Sequence, residues 1–218
     1  MSTKKRNFII STILILLSVV YTILVKVVDV KPLGVNETNI GFASINQFVF
    51  KKIGVNMIWY YITDWLGLIP VFTAMIYALI GCVQLIKRKS IFKVDKEIII
   101  LGLFYIIVIS VYVFFEKVIV NYRPILMNGF LEASYPSSHT LMTICLCGSS
   151  VIVNNALFYN KITKVMNVLS AVIIAITVIG RLLSGVHWVT DIIGGILIGA
   201  ALLMTLYSAI SLINNTKE

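Results

Sequence analysis

The chain holds two histidines, and each stands at the mouth of an apolar run with an arginine nearby. His139 ends the stretch "PSSH" at 136–139, and His187 lies within "RLLSGVHWVTD" at 181–191. A third polar stretch, "EKVIVNYRP" at 116–124, adds Lys117 and Arg123. His187 and Asp191 are spaced i, i+4, which on a helix puts them on one face within reach of each other. A carboxylate on one ring nitrogen fixes the tautomer and leaves the other nitrogen as nucleophile or base. Pro136, Ser137 and Ser138 read as a helix start, where serines cap and first-turn amides are left free. Such an N-terminus suits phosphate, and Arg123, Arg181 and Lys117 add charge-assisted donors for its oxygens. The summed chemistry is an anion pocket with one buttressed histidine and one spare histidine, which suits phosphoryl transfer through a histidine intermediate. A metal shared by His187 and Asp191 is the other chemistry open to this pair. Two histidines and one aspartate are few ligands, and the surrounding cations would repel a metal ion.

These residues must be positioned by membrane helices. Of the 218 residues, 59% are hydrophobic and 12% charged, half the charge of an ordinary soluble domain, about 25%. The apolar residues form continuous runs at roughly 8–28, 66–86, 97–117, 138–157, 164–182 and 190–212. Each is long enough to span a bilayer as a helix, and none alternates as a barrel strand does. The expected fold is therefore an all-α integral membrane protein with six transmembrane helices, read as one domain over 1–218. The first run is too long for a signal peptide and lacks a cleavage site after it, so it reads as a retained anchor. Cys82, Cys145 and Cys147 fall inside the runs and argue against a disulfide framework.

Eleven of the 18 Lys and Arg residues fall on one side of this topology: Lys4, Lys5, Arg6, Lys87, Arg88, Lys89, Lys93, Lys96, Lys161, Lys164 and Lys217. That side should be cytoplasmic, with both termini inside. The three polar stretches then share the outer face. The net charge of +9 reads as a topology signal with anionic headgroups as neighbours. Nucleic acid is excluded as a partner because the cytoplasmic loops are too short to form a binding domain. Residues 29–65 form an external connection in which Trp59, Tyr60, Tyr61 and Trp65 mix with charge, as in a segment lying at the interface.

The three stretches resemble the motifs of the type 2 phosphatidic acid phosphatase (PAP2) superfamily: K-x6-R-P, P-S-G-H and S-R-x5-H-x3-D. Arg123-Pro124 looks like the end of the first, and 136–139 like the second. Arg181, His187 and Asp191 match the third at the right spacing. There are departures. Glu116 stands where the first lysine would, one residue before Lys117. Ser138 replaces a glycine, and Gly180 replaces a serine. The resemblance implies a PAP2-like bundle and metal-independent hydrolysis of a lipid phosphate, with no cofactor. It implies His187 as the attacking nucleophile, Asp191 as its support and His139 as general acid and then base. Arg123, Arg181, Lys117, Ser137 and Ser138 would bind the phosphoryl oxygens. Phosphatidic acid, phosphatidylglycerol phosphate and undecaprenyl diphosphate are the substrates this implies, with membrane lipids around them. The small size and short loops look bacterial, in keeping with a cell-envelope role. A lipid phosphotransferase, a transporter and a non-catalytic lipid-binding relative are the rival readings. Ionisable residues gathered at one face, rather than at the midplane, count against transport.

Overall fold

The computed structural model describes residues 3–158 and 160–214, so Lys217 of the charge count lies outside the described residues. Eight helices run in order: α1 (Thr3–Val27), α2 (Ala43–Ile53), α3 (Met57–Leu66), α4 (Leu68–Arg88), α5 (Lys96–Lys117), α6 (Ser138–Leu157), α7 (Lys161–Ser184) and α8 (Val189–Asn214). Six spans are long and apolar enough to cross a membrane, with α3 and α4 joined as one; the protein is a multi-pass membrane protein. A hairpin of two-residue strands, β1 (Lys31–Pro32) and β2 (Asn39–Ile40), is the only sheet among the described residues.

Helix ends follow local chemistry. α7 begins at Lys161, three residues before the expected 164, because Asn160 and Thr163 form a capping box. Pro70 falls in the first turn of α4, just after the break at Gly67, where a missing N–H costs no helical bond.

α6 is the enclosed centre of the bundle and packs on α4, α5, α7 and α8, while α1 lies along α8. Glycines let α6 and α8 approach. A methyl group at Gly199 would meet Ile144 at 2.7 Å, and one at Gly195 would meet Thr140 at 3.0 Å. Small residues at such crossings let membrane helices gain packing that lipid cannot supply. The outward faces of α1, α4, α5 and α7 expose Leu, Ile, Val and Phe, as a lipid-facing surface must.

Away from the histidines, neutral side chains bond the helices together. Tyr77 donates to Asn154 Oδ1 (2.7 Å), Asn154 Nδ2 donates to Asn167 Oδ1 (3.0 Å), and Ser150 meets Ser170 (3.2 Å). These bonds give polar groups buried between the helices the partners that lipid cannot supply.

The connection at 29–65 folds back over the histidine end. Asn46 on α2 is fully buried and donates to Gly41 O (2.8 Å) and Thr190 Oγ1 (3.0 Å), which ties α2 to the start of α8. Asn56 caps α3 and its own N–H donates to Ser184 O (3.0 Å) at the end of α7. α3 turns Ile58, Tyr61 and Trp65 outward and Thr63 inward, the amphipathic pattern expected of an interfacial helix.

Candidate active site

The loop from α5 to α6 is a twisted hairpin. Asn128 and Gly129 both have positive φ, and Met127 and Phe130 exchange two backbone hydrogen bonds of 2.9 Å across them. Asn-Gly is the favoured pair for such a turn. The returning arm pairs with the outgoing one, with Ser134 N donating to Asn121 O (2.9 Å) and Arg123 N to Glu132 O (3.1 Å). This register delivers Arg123 and Ser134 to His187, and Asn121 to Asp191.

His187 is not on a helix with Asp191, as the spacing had suggested. α8 starts at Val189, after a left-handed turn at Gly185 with φ of 65°. Asp191 takes the third helical position, and its Oδ2 accepts from Trp188 N (3.0 Å) while its own N–H donates to Trp188 O (3.0 Å). The carboxylate therefore serves the helix start first, in the manner of a capping box. No direct hydrogen bond joins it to His187; Ser134 stands between them. Ser134 Oγ donates to Asp191 Oδ2 (2.5 Å) and lies 3.0 Å from His187 Nδ1, which is also 3.1 Å from Ser134 O.

This geometry fixes the tautomer. A hydroxyl has one proton to donate, and here the carboxylate takes it. Both Ser134 oxygens then act as acceptors toward the ring, so Nδ1 carries the hydrogen. Nε2 is left with a lone pair, facing Arg123 Nη1 at 3.3 Å. Burial, followed by Arg123, Arg181 and His139, pushes the His187 pKa well below its ordinary 6.5. The ring is neutral and its Nε2 unprotonated at neutral pH.

The second histidine has a different support. His139 Nε2 lies 3.0 Å from Asp64 Oδ1, and Arg181 Nη2 donates to the same oxygen at 3.2 Å. The Tyr60 ring covers the Arg181 guanidinium, with its centroid 4.9 Å away. Arg181 is fully buried. Its Nε and Nη1, with Ser137 Oγ and His139 Nδ1, are buried with no hydrogen-bond partner among the described residues. Ser137 holds the cap position of α6, yet its hydroxyl caps nothing.

Two crevices meet here. A narrow one is lined by Ser134, Ser138, Glu116, Tyr112 and His187. A wider one of about 330 Å³ is lined by Asp64, Gly67, Ser138, Tyr112 and His139. Ser138 and Tyr112 belong to both. Of the eight residues singled out from sequence, His187 and Asp191 thus gather around Ser134, and Arg123 meets His187. His139 and Arg181 gather around Asp64, and Ser137 and Ser138 lie at the start of α6 beside them.

Lys117 does not join them. It is exposed at the end of α5 and lines neither crevice, whereas Glu116 lines the one holding His187. One residue along a helix turns the side chain by about 100°, enough to send the lysine to another face. Gly180, where the resembling motif has serine, also has a local reason. A Cβ there would sit 2.5 Å from Thr63 Cγ2 and 3.0 Å from the Trp59 ring, because α3 packs on α7 at this point. Ser134 and Asp64 were not singled out from the sequence. The Asn128-Gly129 turn could have pointed to Ser134, by pairing it with Asn121. No local signal in the sequence distinguishes Asp64 from the other acidic residues.

Among the described residues, no three His, Cys, Asp or Glu side chains converge as metal ligands. No curated protein matches the chain. The fold is similar to that of a transmembrane PAP2-type phosphatidylglycerolphosphate phosphatase from Bacillus subtilis. That likeness has a TM-score of 0.59, with 18% identity over 95% of this chain and 97% of the other. The model of the PAP2 superfamily matches residues 117–214, the segment that carries both histidines, both site arginines, Ser134 and Asp191. The sequence likeness to the PAP2 superfamily is thus that of residues 117–214.

Proposed function

We propose that the protein hydrolyses the phosphate ester or diphosphate of a membrane lipid through a phosphohistidine at His187. The observation that carries this reading is the state of that ring. Nδ1–H is tied to Ser134, and Nε2 presents a lone pair beside the Arg123 guanidinium.

In the first step Nε2 attacks phosphorus, the N–P bond forms and the bond to the lipid oxygen breaks. His139 supplies the proton to that leaving oxygen. In the second step His139 takes a proton from water, whose oxygen attacks the phosphohistidine. Inorganic phosphate leaves and His187 is restored. Arg123, Arg181, Ser137 and Ser138 hold the phosphoryl oxygens, with the first-turn amides of α6 behind them. Charge that builds on those oxygens meets donors already in place, the largest single source of stabilisation in such reactions. Asp191 acts through Ser134, holding the tautomer and favouring positive charge on the ring as the N–P bond forms.

The charge bias of the loops supports an extracytoplasmic site with both termini inside. The crevice opens beside apolar α4 residues, Leu68 and Val71, a surface suited to acyl or prenyl chains. The name of the Bacillus subtilis relative makes phosphatidylglycerol phosphate the first substrate to try. The test is release of inorganic phosphate by purified protein in detergent with excess EDTA. The panel is phosphatidic acid, phosphatidylglycerol phosphate and undecaprenyl diphosphate, with His187→Ala as control. Metal-independent release that vanishes in the variant is the expected result. No release from any lipid by folded protein would overturn the reading.

A further inference from the structure

The two site arginines are each matched by a carboxylate, but not one that is locked in place. Arg123 pairs with Glu132 (3.0 Å) and Arg181 with Asp64 (3.2 Å), and both acids are nearly half exposed. Asp64 goes further than Glu132, since one of its oxygens serves Arg181 and His139 together. A guanidinium and an imidazole converging on one oxygen is the arrangement that a phosphoryl oxygen would call for. Among the described residues, the only side-chain partners of Asp64 are these two groups of the phosphate site. Asp191 is the opposite case, fully buried and held by donors from Ser134, Asn121 and Trp188.

Resting on the phosphatase reading above, we propose that Asp64 occupies a phosphoryl-oxygen position in the resting protein and is displaced when the substrate's phosphate binds. The exchange is like for like. Arg181 Nη2 and His139 Nε2 give up a carboxylate oxygen and take a phosphoryl oxygen. The Arg181 Nε and Nη1 hydrogens, which the carboxylate leaves without partners, gain further oxygens on a tetrahedral ligand. The released carboxylate turns to solvent, which it already half faces. Nearby, Gly67 leaves room for this corner of α3 to lie on the ring, since a Cβ there would come within 3.2 Å of His139 Cδ2. Asp64 thus makes the site selective: an anion enters only if it binds these donors better than a tethered carboxylate does.

The probe is tungstate, a tetrahedral oxyanion, titrated calorimetrically into the full chain in detergent. Asp64→Asn keeps the shape and removes the competing charge. It should bind tungstate about tenfold more tightly, because no fraction of the site is then closed by the carboxylate. Folded Asp64→Asn that binds tungstate equally or more weakly would overturn the displacement. A second measurement needs no variant: carbodiimide labelling of Asp64 in the wild-type chain, followed by mass spectrometry. Displacement predicts faster labelling with saturating tungstate, and unchanged or slower labelling would contradict it. Tungstate binding to neither form would overturn the phosphate seat itself. Binding to both without a gain would overturn the role of Asp64 and leave the seat standing.

Discussion

The two histidines are held in contrasting ways. His187 sits in a closed wall made by the hairpin and the start of α8. Its support, Asp191, is inaccessible and reaches it through a second buried side chain, Ser134. His139 sits on α6 facing the crevice, supported by a half-exposed aspartate from the short helix α3. A nucleophile that must meet phosphorus in line gains from a fixed ring. A proton donor that serves first a lipid oxygen and then water gains from a partner that can be exchanged. The contrast assigns rigidity to one side of the phosphate seat and adaptability to the other.

The largest effect should come from the closed side. His187→Ala should lower kcat by four orders of magnitude or more, since loss of a covalent nucleophile leaves only residual catalysis by binding, roughly 10³–10⁴ over water. His139→Ala should cost less, about 10²- to 10⁴-fold, the usual worth of a general acid and base. Both are read from steady-state hydrolysis of the best lipid in the panel. Equal losses would erase the distinction between the two sides.

Ser134→Ala separates the direct from the relayed reading of Asp191. It removes the hydroxyl but leaves the Ser134 carbonyl to hold Nδ1, so kcat should fall by only about tenfold. In a double-mutant cycle, Asp191→Asn on the Ser134→Ala background should cost much less than it does alone. Additive losses would mean that Asp191 reaches His187 by another route.

The pH dependence of stability offers a further test. The folded His187 pKa lies well below 6.5, so between those two values the unfolded chain binds more protons than the folded one. Stability therefore falls as pH drops below 6.5, and this group contributes no pH dependence above it. Thermal melting in detergent should show that acid loss, and His187→Gln should flatten it. A melt insensitive to pH in wild type would contradict the neutral buried ring.

The smallest effect concerns the packing beneath α3. Gly180→Ser places a side chain against Thr63 and Trp59. It should destabilise the protein by about 1–3 kcal/mol, the usual cost of overpacking. Thr63→Ala should recover part of that loss in the melting temperature. Wild-type stability in the single variant would mean that α3 does not rest on this glycine.

The spans were legible because a 20-residue apolar run has few alternatives in a bilayer, and the residues of the candidate site were conspicuous because His, Arg and Asp are rare beside such runs. Three things were not. The i, i+4 relation of His187 and Asp191 presumed a helix that begins only at Val189, so the relay through Ser134 was hidden in tertiary structure. Lys117 and Glu116 differ by one step in sequence, yet only the helix phase decides which side chain meets the crevice. Asp64 lies more than 70 residues from His139 and 117 from Arg181, and the packing of α3 on α7 alone brings them together.

The most direct test of the account is to trap the intermediate. Purified protein would be mixed with ³²P-labelled lipid phosphate for a single turnover and quenched in alkali, in which an N–P bond survives. The account predicts label on a peptide containing His187, formed and lost at rates that match turnover, and absent from His187→Ala. Full turnover with no protein-bound label under those conditions, or label on His139 instead, would contradict it.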